Sequence, residues 1–186
     1  MTTRVLIAAV AGAIVAFAWG YVSHEVLPLG SYGMRDLPDD DKTVAALQES
    51  ISERGFYMFP AKQGVPDEQF AEQYEKGPVG LVVYRPTGFR PTSIVQRGIQ
   101  FGTNLLASLV AAFIASRCVG GIVTRVMVVS SLGIIAWLSV NVPYWNWYSF
   151  PPGMTIASLI NHVIGWALVG VVLAVIVKRP TTTVKM

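Results

Sequence analysis

Cysteine occurs once, as Cys118, so neither a disulfide framework nor a thiolate metal site can be built within one chain. Charge is also scarce: 13% of residues are charged, where soluble chains carry about 25%. Acidic residues are missing from most of the sequence, because all 11 lie between Glu25 and Glu75. No nucleophile elbow, phosphate-cradling glycine loop, HExxH or CxxC is present, so nothing marks the chain as an enzyme. Ser23-His24-Glu25 sets three catalytic residue types side by side, but neighbours in sequence do not make a triad in space. The pI of about 9.1 comes from basic residues that form no dense cluster and accompany no nucleic-acid motif, which argues against nucleic acid as a partner.

What the sequence has in abundance is apolar residues, 53% of the total, gathered in blocks. The pattern predicts a membrane all-α fold: a four-transmembrane-helix bundle with a small extracytoplasmic α+β insertion between helices 1 and 2. Residues 1–26 form the first transmembrane helix and 27–93 the inserted module. Residues 94–179 hold transmembrane helices 2–4, and 180–186 are a short tail. Val5 to Tyr21 is almost purely apolar behind Arg4. With Ala16-Phe17-Ala18 it also fits a secretory signal peptide; the expectation is a retained helix. Ala8, Gly12, Ala16 and Gly20 recur every four residues, a small-residue stripe that lets another backbone approach closely. His24 continues the stripe, ~30 Å from Arg4 and so near the opposite membrane surface. Trp19 and Tyr21 fall at the same end, as an interfacial aromatic belt requires.

The module is the acidic part. Asp39-Asp40-Asp41 suits a helix N-terminus, offsetting its dipole, and Val44, Leu47 and Ile51 keep helical spacing until Gly55. The run lacks the alternating ligands and closing glutamate of a calcium loop. Phe56 to Phe59 reads as a strand closed by Pro60, and Pro66-Asp67-Glu68 opens a second helix that stops at Gly77-Pro78. Leu81 to Tyr84 reads as a second strand. A helix–strand–helix–strand unit of this size is marginal as an independent core, so it is expected to rest on the membrane helices or on a partner.

Beyond Pro91, Gln96, Gln100, Asn104 and Ser108 form a polar stripe on an apolar helix, which should face other helices or water. Val126 to Val140 is the third crossing, with its segment ending at Pro143. A charge-free aromatic loop follows, with Tyr144, Trp145, Trp147, Tyr148 and Phe150 as an interfacial belt or a seat for a lipid, quinone or pigment ring. Thr155 to Val177 is the fourth crossing. Arg4, Arg117, Arg125, Lys178, Arg179 and Lys185 all fall on one side of a four-crossing chain. That predicts both termini in the cytoplasm and, in a bacterium, a periplasmic module in a multi-pass inner-membrane protein.

His162 is the sharpest candidate site, roughly 10 Å below the outer surface with Asn161 and Ser158 beside it and Gly165 leaving room for the ring. An ionisable residue at that depth is a candidate for ligating haem or a chlorin, bonding a quinone, or carrying protons. The plainer alternative is a neutral imidazole bonded to Asn104 or to another helix. His24 with Glu25 is a second candidate for cofactor or metal binding, against a helix-end cap; without a known spacing no metal site is expected.

Trp19-Gly20-Tyr21-Val22-Ser23-His24-Glu25-Val26-Leu27-Pro28 fits W-G-x-x-S-H-x-x-L-P, and Tyr144-Trp145-Asn146-Trp147-Tyr148-Ser149-Phe150-Pro151 fits Y-W-N-W-Y-x-F-P. With Gly80 to Pro86 between them as G-x-x-x-Y-x-P, the chain resembles a group of small bacterial four-helix inner-membrane proteins. The resemblance implies topology and bacterial origin and no catalytic role. The first functional expectation is a non-catalytic accessory subunit of a larger respiratory or photosynthetic membrane complex, with membrane lipids and other membrane subunits as partners. A cofactor-binding protein using His162 and a small-molecule permease acting as an oligomer stand as alternatives.

Overall fold

The computed structural model describes residues 3–90 and 93–177 and is mostly helical. Lys178, Arg179, Lys185 and the expected tail lie outside the described residues. Four helical segments are long and apolar enough to cross a membrane: Thr3–Val26, Ile94–Arg117, Ile122–Tyr148 and Pro152–Ile176. Each, at ~1.5 Å per residue, exceeds the ~30 Å hydrocarbon core. The chain divides into two units, one made of the spans and the other of Arg35–Pro91 with Asn146–Ser149.

In the first unit, α1 (Thr3–Tyr21) runs into a π-helical turn over Val22–Val26. Then come α4 (Ile94–Arg117), α5 (Ile122–Ala136), a second π-helical turn (Trp137–Asn141), α6 (Val142–Tyr148), whose residues from Asn146 on belong to the second unit, and α7 (Pro152–Ile176). The helix α1 packs on α4 and α7, and α7 packs in turn on α5. Their shared core is dominated by small side chains, among them Ala8, Ala9, Ala111, Ala112 and Ala115, with Leu173 as its largest fully buried member. Such helices meet by close backbone approach, the main source of attraction in lipid. Gly12 is the junction of three of them. A Cβ there would lie 3.1 Å from Ser108 Oγ of α4 and 3.2 Å from Leu173 Cδ2 of α7.

The third span departs from expectation. The aromatic stretch beyond Pro143 is not a loop: α6 carries the helix to Tyr148. Proline removes an N–H and crowds the preceding turn, which normally ends a helix. Here the widened turn before it, with the Val142 N–H bonded back to the Trp137 carbonyl, makes the room. The reversal falls at Ser149, whose φ is 57°, and Pro152 opens α7.

The second unit contains α2 (Asp40–Ser50), β1 (Gly55–Phe59), α3 (Asp67–Lys76) and β2 (Gly80–Tyr84). Asp39 caps α2, its carboxylate accepting from the Lys42 N–H at 3.3 Å. The helix ends earlier than expected: Ile51 is already extended, and Gly55 opens β1 instead of closing α2. The strands pair antiparallel, Phe56 opposite Val83 and Met58 opposite Leu81. No described residue from 35 to 90 is buried.

Close approach of backbone to backbone makes the α5–α7 seam sensitive to a methyl group. A Cβ on Gly133 would lie 2.7 Å from the His162 carbonyl oxygen, whereas one on Gly102 meets nothing within 4 Å. Gly133→Ala is therefore expected to lower stability by about 1–3 kcal/mol through overpacking. Gly102→Ala is expected to be neutral or stabilising, since alanine favours helix by up to about 1 kcal/mol. Thermal unfolding of both variants in detergent checks the contrast.

Candidate functional site

The candidate site is built on the middle of α7. Its Asn161 is engaged by α1: the Trp19 indole N–H donates to the Asn161 carbonyl oxygen at 3.0 Å and to its Oδ1 at 2.8 Å. Trp19, expected as an interfacial anchor, is thus a link between helices. Gly165 makes room for that indole and not for the His162 ring, since a Cβ would sit 2.7 Å from Trp19 Cδ1.

His162 is half-buried, its Nδ1 lying 2.7 Å from the Ser158 carbonyl oxygen one turn back. A carbonyl can only accept, so Nδ1 carries a proton, and in the neutral ring the lone pair is on Nε2. The pairing of His162 with Asn104 is not formed: His162 bonds within α7, and Asn104 Oδ1 accepts from Gln100 Nε2 at 3.0 Å within α4. His24 repeats the same local device in the π-helical turn. Its Nδ1 lies 3.0 Å from the Gly20 carbonyl oxygen and 2.9 Å from Ser23 Oγ. Ser23, fully buried, donates its own proton to Gly20 O at 3.1 Å. With the Nδ1 proton directed at Gly20 O, the ring meets Ser23 Oγ as a donor in this arrangement. Gly30 folds back over the His24 ring, where a Cβ would meet Cδ2 at 2.2 Å.

Among the small-residue stripe, Ala8 and Gly12 are buried and Ala16 packs on the core, whereas a Cβ on Gly20 would touch nothing. Gly20 acts instead through its carbonyl, as the acceptor for Ser23 and His24. The polar stripe of α4 is not a uniform face. Gln96 completes a capping box with Ser93, Gln100 is exposed and bonded to half-buried Asn104, and Ser108 is buried against α1. Of the aromatics, Tyr144 and Phe150 stack at 5.1 Å, while Trp145 and Trp147 point outward. Tyr148 and Ser149 line an open depression with Met58, Phe59, Tyr74 and Leu81 in the second unit.

Arg125 is the residue that topology reasoning undervalued. It is 3% exposed, its Nη1 donates to the carbonyl of Val177 at the end of α7, and its Nε reaches Gly121 O at 3.5 Å. Arg125 thereby faces the negative end of the α7 dipole. The spacing of Arg125, Val129 and Gly133, all buried, was the available signal. Arg117, by contrast, is exposed over the Phe113 ring at 5.0 Å.

Among the described residues no group of three or more His, Cys, Asp or Glu could hold a metal ion. A cofactor held by a single imidazole would fall to His162 or His24, the two histidines of the chain. Comparison of the chain with protein-family models, with curated proteins and with solved structures finds no match.

The Trp19–Asn161 link is testable by a double-mutant cycle. Trp19→Phe and Asn161→Ala should couple by about 0.5–1.5 kcal/mol, the range for hydrogen bonds between membrane helices, in unfolding measured in mixed micelles. Arg125→Met should cost about 1–3 kcal/mol in the same assay, because the Val177 carbonyl loses its donor.

Proposed function

We propose that the chain is a non-catalytic accessory subunit of a larger bacterial membrane complex, respiratory or photosynthetic. It would sit in the inner membrane with both termini cytoplasmic and the module in the periplasm. The supporting observation is the module itself. From 35 to 90 no described residue is buried, and a two-stranded hairpin with two small helices is marginal in water without cover. A partner subunit supplies that cover. Its docking surface is the pair α2 and α3, which carry Asp40, Asp41, Glu49, Asp67, Glu68 and Glu72 on exposed positions. The partner's facing surface is accordingly basic.

Extraction from native membranes in mild detergent, followed by size separation, tests this reading. Migration with a large complex at fixed stoichiometry is the expected result; migration alone, near 20 kDa plus detergent, overturns it. A second reading is favoured by the His162 tautomer, since a fixed Nδ1–H leaves Nε2 directed as a ligand for haem or a chlorin or as an acceptor for a quinol. A stoichiometric chromophore in the purified protein, lost in His162→Ala, is its expected signature.

A further inference from the structure

The hairpin of the second unit is apolar on both sides, and the side carrying Phe56 and Val83 is the more exposed; its open end is charged. Phe56 and Val83 are directly paired and lie on one face with Met58, and they are 60%, 82% and 41% exposed. Beyond the terminal pair Gly55–Tyr84, the next residues of the two strands are Arg54 and Arg85. Arg85 lies over the Phe89 ring, 4.6 Å from its centroid. The strand edges are poor docking sites. Both strands are five residues long and flanked by Pro60, Pro78 and Pro86, the usual protection against strand addition. What remains open is the Phe56–Val83 end of the face, since Met58 and Leu81 line the depression shared with Tyr148 and Ser149.

We infer that this face, with Arg54, Arg85 and Phe89, rests on the lipid headgroup layer, its arginines meeting anionic phosphates and its apolar side chains reaching the acyl boundary. Three observations identify lipid as the occupant. Covalent reach keeps Phe89 within about 18 Å of Ile94, the first residue of a membrane span. The unit also contains Asn146–Ser149, the end of another span, including Trp147 at 71% exposure; tryptophan and tyrosine mark the membrane–water interface. Charge is segregated within the unit. The carboxylates concentrate on α2 and α3, with Glu53 beside Arg54 the exception near the hairpin, so an anionic leaflet attracts the arginine end and repels the helices. The inference does not depend on the accessory-subunit reading, because lipid alone satisfies it.

The test uses the full chain in nanodiscs with no other protein. Cys118 is replaced by alanine, and a nitroxide is attached to a cysteine placed at Val83 or, as a control, at the exposed Ala46 of α2. In discs containing phosphatidylglycerol, the probe at 83 should be several-fold more accessible to oxygen, which concentrates in lipid, than to an aqueous nickel chelate. The probe at 46 should show the reverse. Arg54→Gln and Arg85→Gln, or discs of phosphatidylcholine alone, should shift the probe at 83 towards water, by about fivefold in the docked-to-lifted ratio for each arginine removed. A probe at 83 as water-accessible as that at 46 overturns the inference. So does shielding at 83 that requires co-purifying protein, which would assign the face to a subunit contact.

Discussion

The close approach of α7 to its neighbours is the constraint on which the membrane unit depends. Three glycines set it. Gly133 admits the His162 carbonyl, Gly165 admits the Trp19 indole, and a Cβ on Gly170 would stand 3.2 Å from the Val126 carbonyl. Lipid tails are as apolar as leucine, so burying large side chains gives no advantage between membrane helices, and dispersion at short range decides. An alanine-rich core follows from that condition. So does the buried arginine. Once α5 lies this near α7, the last carbonyls of α7 would be sealed from water, and Arg125 supplies the donor they need.

The two histidines share one local solution. Each places its Nδ1 proton on the carbonyl one turn back, Ser158 for His162 and Gly20 for His24. The consequence differs with depth. His24 is exposed at the end of its span, where water can meet Nε2. His162 is inside a span, where an unmet acceptor costs about 1–3 kcal/mol. With Nδ1 engaged in this way, Nε2 is the atom of His162 left to meet any further group. It also limits the chemistry available at either site. Proton transfer and ligation can occur through Nε2, while Nδ1 is committed to holding the ring.

Much of the fold was legible because its signals are local. Apolar runs mark the four spans, Asp39 caps α2 as an acidic N-terminus should, and proline and glycine separate the helix–strand–helix–strand order. What escaped was set by partners distant in sequence or by compensation. Pro143 marks a helix end until the π-helical turn before it is known. Gly165 promises space, but nothing local says that the space belongs to Trp19 rather than to His162. Arg125 reads as a loop charge because the carbonyl it serves lies 52 residues away. The polar stripe of α4 has the correct period yet splits among a cap, an intrahelical pair and a packed hydroxyl, because period alone does not show which helix lies opposite.

The two units differ in how far each satisfies itself, and that difference bears on function. The spans close a core with their own side chains and bond Trp19, Trp137 and Arg125 across helices. No described residue of the second unit is fully buried, and the Lys62–Asp67 ion pair within it is slight. Lys62 and Asp67 stand 3.5 Å apart, both largely exposed, a geometry that contributes little in water. Most of its carboxylates are therefore free to act at longer range. If the arginine end of the hairpin meets the leaflet, the same charge distribution turns α2 and α3 away from it before any protein contact forms. Electrostatics would then orient the module first. A partner would need only to cover the outward acidic helices, at a smaller entropic cost than capturing a freely tumbling domain.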